Sequence, residues 1–166
     1  MNWLNLLYLL PLAGLYWLFL SSGRGYRLIH KNDQTFSSPE LRFRYTADDL
    51  SAYFSGIENQ QELTRIWRWK YAATAVFLLV MVGITFNFDL PLWLRSVMIV
   101  VAALRALLAF LETPLLLSLQ RDYRANKPLL TVKAASLITS LKWCVTGLWL
   151  LGLFGFLMVR ALKMSA

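Results

Sequence analysis

Four stretches of this chain are apolar over lengths that a water-soluble fold does not need: Trp3 to Leu20, Tyr71 to Phe88, Leu92 to Leu119 and Ala134 to Val159. About 20 apolar residues in a helix cross the roughly 30 Å hydrocarbon layer of a bilayer. Inside that layer every backbone N–H and C=O must be satisfied within the protein, which leaves the helix or the closed barrel. Runs this long and continuous predict helices. The expected class is all-α, a polytopic membrane protein of four transmembrane helices with a short helical cytoplasmic loop at 21–70, forming one membrane domain over residues 1–166. The composition agrees, since only 16% of residues are charged, against about a quarter in an average soluble domain.

The first run contains Pro11 and Gly14 but no charge, a pattern that spanning helices tolerate. No Lys or Arg precedes it and no A-x-A site follows, so a retained anchor is expected rather than a cleaved signal peptide.

Orientation follows from the basic residues. The segment between the first two runs carries Arg24, Arg27, Lys31, Arg42, Arg44, Arg65, Arg68 and Lys70; the one between the last two carries Arg121, Arg124, Lys127 and Lys133. The opposite side has only Arg95, Arg160 and Lys163. Lys and Arg gather on the cytoplasmic side, so both termini are expected to be non-cytoplasmic, in an inner (plasma) membrane. Between the second and third runs, Asn87 to Pro91 leaves room for a turn alone.

The loop from Ser21 to Lys70 is too short and polar for an independent core. Leu41, Phe43 and Tyr45 alternate with Arg42 and Arg44, which fits either a short extended stretch or a linker. Thr46 then reads as an N-cap, with Asp48 and Asp49 at the positive end of the helix dipole. Leu50, Tyr53, Phe54 and Ile57 follow at helical spacing, and from Gln60 a second helix runs into the second span. There Arg65, Trp67, Arg68, Trp69 and Lys70 form a basic and aromatic collar suited to contact with lipid headgroups. A nucleic-acid platform needs such aromatics on an open polar surface, so nucleic acid is not an expected partner despite the net charge of +8.

Three ionisable residues fall inside the last two runs: Arg105, Glu112 and Lys142. Each costs about 2.5 to 3.5 kcal/mol at the centre of a spanning helix unless it faces the bundle or water. Met98, Ala102, Arg105, Ala109 and Glu112 share one stripe of their helix, as do Ala135, Thr139, Lys142 and Thr146 of theirs, with Ser136 and Ser140 alongside. Glu112 and Lys142 lie at matching depths, roughly 10 to 12 Å from the nearer ends of their runs, so an interhelical ion pair is expected. Arg105 sits about 10 Å further in. The candidate polar site is therefore Arg105, Glu112, Ser136, Thr139, Lys142 and Thr146. It reads as a clasp that fixes helix packing, as a cavity that receives an anionic group such as a lipid phosphate, or as a proton or ion path. Pro114 is placed to kink the third span and free a carbonyl.

Several chemistries are closed. One cysteine, Cys144, excludes an internal disulfide or a multi-cysteine metal site. One histidine, His30, excludes a bis-histidine haem and an H-E-x-x-H zinc site. Cys144 is expected to pack as a small apolar residue, and no metal or cofactor is expected.

The segments Tyr45-Thr46-Ala47-Asp48-Asp49-Leu50, Leu111-Glu112-Thr113 and Ala135-Ser136-Leu137-Ile138-Thr139-Ser140-Leu141-Lys142-Trp143 resemble the pattern Y-[ST]-x-[DE]-[DE], D-x-x-E-N, A-S-x-x-T-x-x-K-W of an uncharacterised group of bacterial four-span membrane proteins. The resemblance covers about Tyr45 to Leu157, and its last element is the most specific. It implies the four-span architecture and matches Glu112, Ser136, Thr139 and Lys142 to positions of that pattern. Ala109 and Thr113 stand where the group often has Asp and Asn, which weakens any mechanism that needs paired acids.

The residues thus favour a non-enzymatic membrane protein, a lipid-binding or accessory subunit whose partners are the bilayer, including anionic lipid, and a protein met through the basic loop. The alternative is an enzyme or transporter acting on an anionic lipid or small anion through Arg105, Glu112 and Lys142. The spaced aspartates of lipid phosphotransferases are missing, because Asp89 is the only Asp in or adjoining the last three runs.

Overall fold

The computed structural model describes residues 39–165. The first expected span, Trp3 to Leu20, and His30 lie outside the described residues. Four α-helices follow a single 3-10 turn at Pro39–Leu41: α1 (Ala47–Ser55), α2 (Gln60–Asn87), α3 (Leu92–Arg124) and α4 (Val132–Ser165). The described residues contain no strand, so the Leu41 to Tyr45 alternation is irregular chain.

Local chemistry sets the helix ends. Thr46 caps α1 in a reciprocal box: its hydroxyl accepts from the Asp49 amide, and the Asp49 carboxylate accepts from the Thr46 amide. The Asn59 side chain accepts from the amides of Gln61 and Glu62 and opens α2. Phe88 to Pro91 turns the chain into α3. At the other end of α3, Asn126 takes a left-handed φ of 51°. The Lys127 amide reaches back to the Asp122 carbonyl and the Asn126 amide to that of Tyr123. This Schellman motif falls on Asn, one of the few side chains that visit that region readily.

Three helices, α2, α3 and α4, are long and apolar enough to cross a membrane. With 28, 33 and 34 residues at 1.5 Å rise each, they run to about 42 Å and more, well beyond a 30 Å hydrocarbon layer. The surplus builds a cap. α1, the first turns of α2, the last turns of α3 and the start of α4 share a core of Leu50, Phe54, Leu63, Trp67, Leu116 and Leu119. The segment before α2 therefore has a core only by borrowing from the helix ends.

α3 is the central helix, packed against both α2 and α4. Towards the Phe88–Pro91 turn, Met81, Met98, Ala102, Trp149 and Leu153 form a second cluster drawn from all three helices. The outward faces stay apolar, with Leu79, Val100, Leu107, Leu148, Leu151 and Phe154 among the exposed side chains. Such a surface suits lipid and not water. α3 continues through Pro114 as one helix.

Candidate functional site

The two clusters meet at a seam of charge. Of the expected stripes, Met98, Ala102, Ala109 and Glu112 of α3 are buried, as are Ala135, Thr139 and Lys142 of α4, while Arg105 and Thr146 are half-buried. Glu112 has no exposed surface. The Lys142 ammonium donates to both of its oxygens, at 2.8 Å to Oε1 and 2.6 Å to Oε2, which realises the expected interhelical pair. Thr139 Oγ1 lies 2.6 Å from Glu112 Oε1 and 3.0 Å from the Ala135 carbonyl one turn back.

A second cation joins them. Lys70 of α2 places its ammonium 3.4 Å from Glu112 Oε2, with only 18% of its side chain exposed. The carboxylate is thus shared among α2, α3 and α4. For Lys70, the neighbours Arg68 and Trp69 suggest a place in the collar, but its helical phase is the better guide. It follows Leu63, Ile66 and Trp67 on the buried face of α2, at the i+3 and i+4 spacing that extends that face.

The collar itself divides. Trp67 is fully buried in the cap core and meets the Phe54 ring edge-on at 6.1 Å, so it faces no headgroup. Trp69 is 57% exposed, and Arg65 and Arg68 are exposed beside it.

The segment before α1 is pinned to α4 over the clasp. The Tyr45 amide donates to Ser136 Oγ at 3.1 Å, and the Tyr45 hydroxyl lies 3.4 Å from Thr139 Oγ1. The Ser140 hydroxyl donates to the Phe43 carbonyl. Because Thr139 contacts Glu112, a chain of polar contacts runs from Tyr45 through Thr139 to the carboxylate. Burial of Tyr45 pushes its phenol up to about 12, against the smaller effect of the Thr139 hydrogen bond. Asp49 is held below the usual carboxylate range by the Thr46 amide and hydroxyl, with Arg42 adding to the effect.

Thr146 stands apart and donates to the Lys142 carbonyl. Arg105 is apart as well. Two turns from Glu112, its guanidinium lies over the Phe77 ring of α2 at 3.9 Å, and its buried Nε and Nη1 have no hydrogen-bond partner. Cys144 is exposed on the outer face of α4. A second polar knot, unforeseen from the sequence, joins α2 to α3: Gln120 donates to the Gln60 carbonyl at 2.7 Å, and Thr64 donates to Gln120 at 3.0 Å. No group of His, Cys, Asp and Glu among the described residues is arranged to hold a metal ion.

No protein-family model, curated protein or solved structure matches this chain.

Proposed function

We propose that this protein is a non-enzymatic integral membrane component, a lipid-binding or accessory subunit, in which the Glu112 clasp fastens the cap to the spanning helices and the collar of Arg65, Arg68 and Trp69 reads anionic headgroups. The observation that carries the reading is the enclosure of Glu112. A general acid or base must reach its substrate, yet this carboxylate has no exposed surface and both oxygens are already bonded to side chains of the protein. A closed group of this kind suits a fastener that sets register and orientation.

The cap carries most of the basic residues, which supports a position on the cytoplasmic face beside anionic lipid, where Lys and Arg near the surface each contribute about 1 kcal/mol. In that position it also offers its basic surface to a protein partner. Reconstitution tests the reading. The thermal midpoint of the full chain is measured in nanodiscs of phosphatidylcholine and of phosphatidylcholine with phosphatidylglycerol. The anionic lipid is expected to raise the midpoint, and the Arg65→Gln/Arg68→Gln variant to lose most of the gain. An equal midpoint in both bilayers removes the headgroup role.

A further inference from the structure

The irregular strap ahead of α1 turns two apolar side chains outward. Leu41 is 59% exposed and Phe43 55% exposed, whereas Tyr45, two residues further on, is buried. On a soluble surface an exposed apolar side chain carries no message. Here its position along α4 gives it one.

The Phe43 carbonyl accepts from the Ser140 hydroxyl, which fixes the strap to α4 three residues before Trp143, about 4.5 Å along the helix. Trp143 and Trp69 are both exposed, and each adjoins a lysine, Lys142 or Lys70, whose ammonium reaches Glu112. Exposed tryptophans therefore stand at one level on α2 and α4, the pattern of the aromatic belt at a headgroup boundary. The far end of the bundle leads to the same level. Leu90, in the turn before α3, shares a cluster with Leu153 of α4, and Phe156 packs against it. A hydrocarbon layer of roughly 30 Å counted back from Phe156, about 20 residues, ends near Ser136. Ser136 and Ser140 are the two residues whose hydroxyls hold the strap main chain.

Irregular backbone enters this zone only where its polar groups are satisfied. The Arg42 amide donates to the Pro39 carbonyl, the Tyr45 amide to Ser136 Oγ and the Thr46 amide to the Asp49 carboxylate, and Ser140 covers the Phe43 carbonyl. The flank of α4 beside the strap is already a lipid-type surface, with Leu137, Leu141 and Leu148 exposed. The outward side chains of the strap extend that surface into the cap.

We propose that the strap from Leu41 to Tyr45 is seated in the bilayer, with Phe43 and Leu41 against acyl chains at the headgroup boundary and the exposed Arg44 beside a lipid phosphate. Lipid holds the strap from one side and the α4 hydroxyls hold it from the other, which fastens the cap to the membrane at a point separate from Arg65, Arg68 and Trp69. The proposal rests on the reading of this chain as membrane-spanning. It does not need anionic lipid, because any phospholipid supplies both the phosphate and the acyl chains.

The test places a nitroxide label on the full chain in phosphatidylcholine liposomes, with Cys144→Ser removing the one native thiol. Phe43→Cys carries the label, and Leu41→Cys repeats the reading without altering Phe43. Glu58→Cys, on the exposed link between α1 and α2, is the aqueous reference, and Leu148→Cys on the outer face of α4 is the lipid reference. Collisions with oxygen, which concentrates in hydrocarbon, are compared with collisions with a water-soluble nickel chelate. At both strap positions the ratio of oxygen to nickel collisions is expected to rise several-fold above its value at Glu58 and to stay below its value at Leu148. A ratio equal to that at Glu58 puts the strap in water and overturns the proposal. Low rates with both reagents overturn it as well, because protein then covers the strap, whether residues 3–20 of the same chain or a second copy. A Leu148 label that reads as aqueous removes the spanning reading itself. Replacing part of the phosphatidylcholine by phosphatidylglycerol should leave the strap ratios unchanged, so the headgroup role of the collar can fail while the seating of the strap stands.

Discussion

Replacing Glu112 by Gln keeps the shape of the side chain and removes the one negative charge of the clasp. Of the oxygens that now accept from Lys142 at 2.8 and 2.6 Å and from Lys70 at 3.4 Å, the amide keeps one neutral acceptor and replaces the other by an NH2 donor that faces an ammonium. Removing one partner of a buried pair costs roughly 3 to 5 kcal/mol, and this substitution takes the carboxylate from both lysines at once. Lys142→Met is less damaging, because Glu112 retains Lys70 and the Thr139 hydroxyl at 2.6 Å. The expected loss is about 2 to 3 kcal/mol, the range of a hydrogen bond to a charged group. The double variant leaves no unpaired carboxylate but still removes the Lys70 contact with Glu112, so it should fall short of the sum of the singles by about 1 to 3 kcal/mol without returning to wild type. Reversible unfolding in mixed micelles, followed by tryptophan fluorescence, measures all four corners of the cycle. A coupling below about 0.5 kcal/mol would refute the clasp, since independent sites add within that margin.

Tyr45 and Asp49 predict opposite pH effects at the cap. The Tyr45 phenol is raised from 10.0 to about 12 in the fold, so its contribution is fully present below pH 10 and is lost as pH rises towards 12. Melting curves across that window should show a loss that Tyr45→Phe lacks. The Asp49 carboxylate is held low, so its contribution is present above the ordinary carboxylate range and fades as pH falls through its lowered value. Hydrogen exchange in α1 should accelerate there, and Thr46→Ala should do the same at neutral pH, at a cost of about 1 kcal/mol. For topology, a reporter fused after Ala166 should behave as periplasmic and one inserted near Asn32 as cytoplasmic; the reverse pattern refutes the orientation drawn from the Lys and Arg distribution.

The parts of this fold that were legible in the sequence are those set by local periodicity. The apolar runs marked α2, α3 and α4, and Thr46 marked the start of α1. The phases of Ala109, Glu112, Thr139 and Lys142 were enough to pair Glu112 with Lys142 across two helices. Lys70 was not legible, because a lysine beside Trp69 and Arg68 has the composition of a membrane boundary, whereas its environment is decided by which way its helix face turns. Trp67 and Trp69 make the same point: two residues apart on one helix, the first follows Leu63 and Ile66 into the core and the second is exposed. Tyr45 was hidden for a different reason. Its partners Ser136 and Thr139 lie 91 and 94 residues away in the chain, and Tyr45 itself sits on irregular backbone whose position no periodicity encodes. These missed residues change the chemistry of the site more than its architecture. Glu112 is shared by Lys70 and Lys142 where a simple interhelical pair was expected, and Tyr45 and Thr139 tie that carboxylate to the cap. The Thr139 hydroxyl is therefore the group that joins Tyr45 of the cap to the Glu112 carboxylate. Thr139→Val, which keeps the shape and removes the hydroxyl, is the substitution that separates them.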